Sequence, residues 1–504
     1  MLGCQWLPFC WQPPIVGRPL PPACQPVCPP NSPAQLHPAG KRCKICAKLD
    51  QERLETVTTE ERAAVAELKR VHICEVMNDR EVSIRGNRVA EADALAMKPD
   101  GFGQILKITI DGMDQAKFRC PRNLASSAEF EACWRPQLHV VGAIIHGHME
   151  CYFLMNADQP KDSNMNATVI CRCLDILCEK LGPQFSLPRT LIVAADNTTR
   201  ESKNQHFANF LSYLVATEKF ECVEQQFMQT GHTHNEQDQR FSSVTTLLSR
   251  APVLEDATDF ADWIRNIAPP RNRSLHVEVL DTTYDFSAWF SALQIQLSGL
   301  AATHAEPDTN HSWRFVRHSM LPQLVSDPVI ECGVAAWEGC PSDGRDVILL
   351  VKQFLHHADF SQRALLVQPH AEAAKLRMCE LGVKAANSLG DRAIHEFRKT
   401  AVVVGAAPWN LVRAQAFLEK LCNDNESGHN PAGMRLRFLE EYKMQNIDLL
   451  SGQEMSSVDR KRARPPRVVK VKEAPKKKRC LRRPAAAAAA AAEEQDPEGT
   501  PHPT

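Results

Sequence analysis

Three aspartates stand where an apolar run ends or a helix begins. They close Ile108-Thr109-Ile110-Asp111, Leu191-Ile192-Val193-Ala194-Ala195-Asp196 and Gly231-His232-Thr233-His234-Asn235-Glu236-Gln237-Asp238. Acids at strand ends and a helix start of one α/β unit are what two-metal phosphoryl transfer needs. Gathered carboxylates repel unless divalent cations sit between them, so a convergent set predicts Mg²⁺ or Mn²⁺. Two such ions, roughly 3.5–4 Å apart, would activate a water or a 3′-hydroxyl and stabilise the leaving oxygen. The plainer account is open too: among 60 acids some end strands by chance, and Asp238 could be a helix-start charge. His232 and His234 flank the third acid, where they could position a phosphate, the attacking water or a metal, or simply cap the helix. Asn197 could orient Asp196 through a hydrogen bond. Lys117, Arg119, Arg200 and Lys203 lie near the acids in sequence and could meet a phosphate backbone, or be solvated surface cations.

Positioning these acids requires a particular set of elements. Gln104 to Phe118 alternates as a strand, and Leu138 to Gly147 and Met149 to Ala157 are two more with a turn at Gly147. Asp162-Ser163-Asn164 caps a helix carrying Val169, Ile170, Leu174, Leu177 and Leu181 at helical spacing. Thr190 to Ala195 reads as a buried parallel strand. Helix 204–220, strand 222–230 and helix 236–250 follow. Three strands, then alternating helix and strand, is the element order of ribonuclease-H-like folds. In that order the first and fourth strands are neighbours and the last helix crosses near their ends.

The string Ile110-Asp111-Gly112-Met113-Asp114-Gln115-Ala116-Lys117-Phe118-Arg119, then Asp196-Asn197 with Lys203-Asn204, then Gly231-His232-Thr233-His234 to Asp238, resembles a transposase-like domain family. Its members are mostly uncharacterised and are viewed as ribonuclease-H-like integrases derived from mobile elements. The resemblance covers about residues 100 to 290, and also Cys43-Lys44-Ile45-Cys46. It implies Asp111, Asp196 and Asp238 as metal ligands, with Asp114 and Glu236 as substitutes one turn away. A ribonuclease-H-like exonuclease would show Asp-x-Glu on the first strand, where this chain has Asp111-Gly112-Met113. Neither a Gly-x-Ser-x-Gly elbow nor a Gly-x-x-x-x-Gly-Lys-Ser/Thr loop is present, which argues against hydrolase and NTPase readings.

A second metal expectation is structural zinc. Cys43-x-x-Cys46 has knuckle spacing, and His72 with Cys74 follows some 25 residues on. Free thiols are the alternative, because the 19 cysteines are mostly scattered singly through apolar segments.

The 504 residues, 43% apolar and 24% charged, suit two or three globular domains. The expected class is α/β: a ribonuclease-H-like mixed sheet, a helical N-terminal segment and an accessory C-terminal α/β region. The expected divisions are a disordered Pro/Cys-rich 1–40, a helical 41–100, a core over 101–300, an accessory α/β stretch over 301–450 and a disordered basic tail over 451–504. Strands are expected at Val347 to Val351, Ala364 to Val367 and Ala401 to Val404. The aromatic-basic Trp313-Arg314-Phe315-Val316-Arg317 could face nucleic acid or edge a core. No membrane helix or secretory signal is legible.

The net charge of -1 hides an asymmetry: residues 459–483 hold 13 Lys/Arg against 2 acids, and residues 1–458 are net acidic. Lys461, Arg462, Lys476, Lys477, Lys478 and Arg479 therefore read as a nuclear-import signal or phosphate-backbone patch, or as a merely solubilising tail. The expected partners are DNA, a nuclear import receptor and a second copy, since synapsis of two DNA ends needs at least a dimer. The expected location is nuclear. The functional expectation is a transposase-derived protein that nicks or joins DNA phosphodiesters. Its rival is a domesticated, inactive nuclear protein that binds nucleic acid or protein.

Overall fold

Strand β1 (Ile105–Gly112) turns Leu106, Ile108 and Ile110 to one face and Lys107, Thr109 and Asp111 to the other, as the period of two dictates. In the computed structural model this strand is central to a nine-stranded mixed sheet. The described residues are 43–441, apart from 97–104, 124–126, 183–186, 230, 233–234, 268, 270–272, 292–309, 318–345, 358–361, 369–375, 377–380, 407 and 429–432. The 1–40 segment, the tail lysines and arginines, and His234 lie outside them.

The chain enters through helices α1 (Lys44–Glu55) and α2 (Thr59–Ala96). After β1 come a 3-10 turn (Gln115–Phe118), β2 (Arg122–Asn123), α3 (Ala128–Ala132), β3 (His139–Ile145) and β4 (Met149–Met155). Then follow α4 (Ser163–Leu181), β5 (Thr190–Ala195), α5 (Gln205–Ala216), β6 (Cys222–Phe227) and α6 (Glu236–Leu248). The chain continues through β7 (Val253–Leu254), α7 (Ala257–Ile264), β8 (Ser274–Val279), α8 (Phe286–Ser291) and β9 (Ser312–Arg317). It finishes with β10 (Val347–Lys352), β11 (Gln362–Gln368), α9 (Asp391–Gly405), α10 (Val412–Ser427) and α11 (Arg437–Glu441).

Strands β4, β3, β1, β5 and β6 lie side by side in that order. β1 runs antiparallel to β3 and β3 to β4, while β5 is parallel to both β1 and β6. The β3–β4 turn needs its glycine: Gly147 has φ +82°, and a Cβ there would meet the Ala94 Cβ at 2.5 Å. β8 extends the sheet beside β4, whereas β9, β10 and β11 extend it beyond β6. Among the described residues, the strands of the 301–450 stretch therefore continue the central sheet.

Two apolar layers hold the sheet. Ile108 and Ile110 pack with Val169, Leu174, Phe210 and Leu214 of α4 and α5. On the opposite face Val140, Tyr152 and Leu154 meet Phe241 and Val244 of α6 and Phe260 of α7. Asp162 accepts from the Asn164 and Met165 N–H groups at 2.9 and 3.4 Å, and Asn204 from Phe207 N–H at 3.0 Å, so both helices start at side-chain caps.

Two local expectations change. Ala401 to Val404 is no strand; it lies in α9, where Phe397, Ala401 and Val404 face α10 residues Ala414, Leu418 and Leu421. Their spacing of four and three is helical, and tertiary burial of that stripe overrides the β preference of valine. The first strand stops at Gly112, because Asp114 accepts from Ala116 N–H and starts a 3-10 turn. Trp313 and Phe315 are buried in the core and Arg314 pairs with Glu224, so that cluster is a core strand.

Candidate functional site

Register alone brings the first two aspartates together. Ile110 pairs with Ala195 across the parallel β1–β5 ladder, and the next residue on each strand is Asp111 and Asp196. Each turns back on its own chain: Asp111 Oδ1 accepts from Gly112 N–H, and Asp196 Oδ1 from Asn197 N–H, both at 2.8 Å. On the other side of β1, Asp111 pairs with Gly142 of β3. The N-terminal end of α6 lies over that glycine, bringing the third acid to the same sheet end.

Asp238 has two duties. It closes a capping box with Asn235, accepting from Asn235 N–H at 2.9 Å while its own N–H donates to Asn235 Oδ1 at 3.1 Å. It also lines, with Asp111 and Asp196, one open cavity of about 670 Å³. The helix-start role and the cavity role coexist. Burial, then the charges of Asp238 and Asp196, push the Asp111 carboxyl up to about 8. Glu201 adds to that repulsion. Burial and facing carboxylates thus favour the protonated form of Asp111, and a cation placed among the three acids would favour the charged form.

Among the other candidates, Asp114 and Lys117 line the same cavity, with Asp114 capping the 3-10 turn and Lys117 Nζ 3.4 Å from Thr245 Oγ1. Arg119 is exposed and pairs by a bridge with Gln137, a cavity residue, and Arg200 is exposed beyond Asp196. Asn197 is buried at the base of Asp196. Lys203 is not at the surface: it is buried, with Nζ 5.2 Å from the centre of the Phe227 ring, so it offers no contact to DNA. The cation the sequence did not single out is Lys161, which lines the cavity and pairs with Glu201 at 3.4 Å. Both sit on loops without periodicity, so only a tertiary contact reveals them.

Glu236 does not substitute for Asp238. It accepts from Arg273 at 2.5 Å, and the same guanidinium reaches Glu91 at 2.5 Å and the buried Glu150 at 3.5 Å. Glu91, His146 and Glu236 form a group that could hold a metal by distance. Arg273 already supplies a cation there. Burial, then the charges of Lys107 and Arg273, depress His146 to about 2, keeping it neutral.

A second metal-competent group joins Cys43, Cys46, His72 and His232, whose donor atoms all lie within 4.8 Å of one another. Cys74 is absent from it, standing 3.9 Å from an Arg70 nitrogen. His232 takes the expected place of Cys74, and it is not among the residues that line the cavity of the acids. The described cysteines are all free thiols.

Residues 128–315 match the model of a domain of unknown function (DUF7869). That stretch runs from α3 into β9 and holds Asp196, His232 and Asp238, but neither Asp111 nor the cysteine pair. No curated protein and no solved structure matches the chain. Among the described residues, no helix is long and apolar enough to cross a membrane.

Proposed function

We propose that the protein is a transposase-derived, metal-dependent enzyme that nicks DNA phosphodiesters or transfers strands through Asp111, Asp196 and Asp238. The carrying observation is that three acids from distant parts of the chain line one cavity, with Asp111 pushed to about 8. The strand order β4-β3-β1-β5-β6, antiparallel then parallel, supports reading the core as ribonuclease-H-like.

The three carboxylates supply oxygen donors of the kind a hard divalent cation takes, and they line one cavity with room for water. Unlike the two groups above, their oxygens do not all lie within 4.8 Å of one another, so a shared ion would have to draw them together. Two Mg²⁺ or Mn²⁺ ions would supply charge to the attacking and leaving oxygens of an in-line displacement. The chain's own part is to hold and orient. Asp111 and Asp196 are fixed by adjacent backbone N–H groups, and Asp238 by its capping box. Lys161 and Lys117 on the cavity wall favour a phosphate backbone. The tail of 13 Lys/Arg supports DNA as partner and import into the nucleus through an import receptor. Acting on two DNA ends would bring two copies together.

The test is calorimetric titration of the full chain with Mn²⁺, alongside nicking of supercoiled DNA. Asp196→Asn should abolish both. DNA binding with neither Mn²⁺ uptake nor nicking would leave a domesticated binding protein.

A further inference from the structure

The two cysteines at the start of the described chain and two histidines far from them form a closed donor set. Cys43 precedes α1 and Cys46 lies in its first turn, so the C-x-x-C spacing puts both sulfurs at one helix end. His72 is buried on α2, and His232 lies on the loop leading into α6. Cys43 Sγ is 3.3 Å from His72 Nε2, and Cys46 Sγ is 3.4 Å from His232 Nε2. Tetrahedral zinc, with bonds of about 2.3 Å to sulfur and 2.0 Å to nitrogen, spaces such donors by roughly 3.3–3.8 Å. Two thiolates and two imidazoles complete four-coordination and leave no open position, the mark of a structural ion.

We propose that Cys43, Cys46, His72 and His232 bind one Zn²⁺, which staples the N-terminal helical hairpin to the loop that starts α6. Two further observations point the same way. The hairpin buries little of its own: Leu49 in α1, and His72, Val76, Asp79 and Ala90 in the 38-residue α2. Leu54, Val57 and Leu68 are exposed, so apolar burial alone holds a 12-residue α1 weakly. In addition, Arg80 of α2 donates to the His232 carbonyl at 3.3 Å, fixing that loop beside the donors. The proposal does not depend on catalysis at the acids.

The full chain, purified without chelator, is assayed for zinc by mass spectrometry. Cys46→Ser and His232→Ala should each lower the content by one equivalent relative to wild type, while Cys74→Ser leaves it unchanged. Because those variants could fold poorly, His232→Cys provides an independent arm. It should keep the zinc and raise the thiolate-to-metal absorption of the Co²⁺-substituted protein about 1.5-fold, as two thiolates become three. In hydrogen exchange, peptides covering 231–240 should lose protection when zinc is stripped. A wild-type chain without zinc, equal zinc in wild type and His232→Ala, loss in Cys74→Ser, or unchanged absorption in His232→Cys would each overturn the site.

Discussion

Gly142 on β3 and Gln237 on α6 approach so closely that a Cβ on the glycine would overlap the Gln237 amide. Phe241, one turn further along α6, would lie 2.8 Å away. Because Gly142 pairs with Asp111 and Asp238 adjoins Gln237, this contact sets how near α6 brings its acid to the sheet. Gly142→Ala should lift the helix end, costing about 1–3 kcal/mol by overpacking. Mn²⁺ affinity should fall at least about tenfold if Asp238 retreats from the other two acids. Unchanged Mn²⁺ titration in a stable variant would separate the helix position from the metal site.

The second expectation concerns pH. Asp111 has its pKa raised in the folded chain to about 8 by burial and by Asp238 and Asp196. The folded state therefore binds a proton that the unfolded state releases near the ordinary carboxylate range. The linkage sign is negative: metal-free stability should decline as pH rises from about 4 to about 8. Asp111→Asn should flatten that decline, and Mn²⁺ should raise the midpoint most at the alkaline end. Thermal melts in chelator, with and without Mn²⁺, measure it.

How far these positions were legible depends on the range of the signal. Asp162 and Asn204 are caps because a short polar side chain precedes a helical stripe, which eleven or so residues suffice to show. Asp111 and Asp196 end strands, and their adjacency follows once β1 and β5 are neighbours. The Cys46–His232 contact spans 186 residues, and no local pattern encodes it. Lys203 reads as a surface cation because nothing nearby in sequence indicates the Phe227 ring that covers it. Ala401 to Val404 misleads in a four-residue window, and only the stripe extending back to Phe397 shows its helical period.

Arg273 joins elements that no single apolar layer connects. Its guanidinium bridges Glu91 of α2, Glu150 of β4 and Glu236 of α6, while Arg240 reaches Glu150 at 2.8 Å. Glu150 and Arg273 have side chains 1% and 6% exposed, so removing the arginine leaves the buried Glu150 carboxylate to Arg240 alone, while Glu91 and Glu236 stay partly solvated. Arg273→Met should cost about 1–3 kcal/mol, because Glu150 keeps one cation and the other two carboxylates can turn to water. Denaturant melts read this directly, and a loss below about 1 kcal/mol would mean that Arg240 alone suffices.

Lys161 and Lys203 make a controlled pair for the nucleic-acid reading. The Lys161 side chain is 26% exposed on the cavity wall, where a phosphate could displace its Glu201 partner. For duplex DNA, every phosphate that a protein neutralises adds roughly 0.9 to the steepness of log affinity against log salt. Lys161→Gln should therefore weaken DNA binding and reduce that slope by about one, with the melting temperature little changed. Lys203→Gln should do the reverse, lowering stability by about 1–3 kcal/mol through removal of a packed cation while leaving the slope intact. Salt titrations of DNA affinity beside thermal melts distinguish the two. If neither lysine moves the slope, the basic tail carries the phosphate contacts and the cavity wall does not hold DNA.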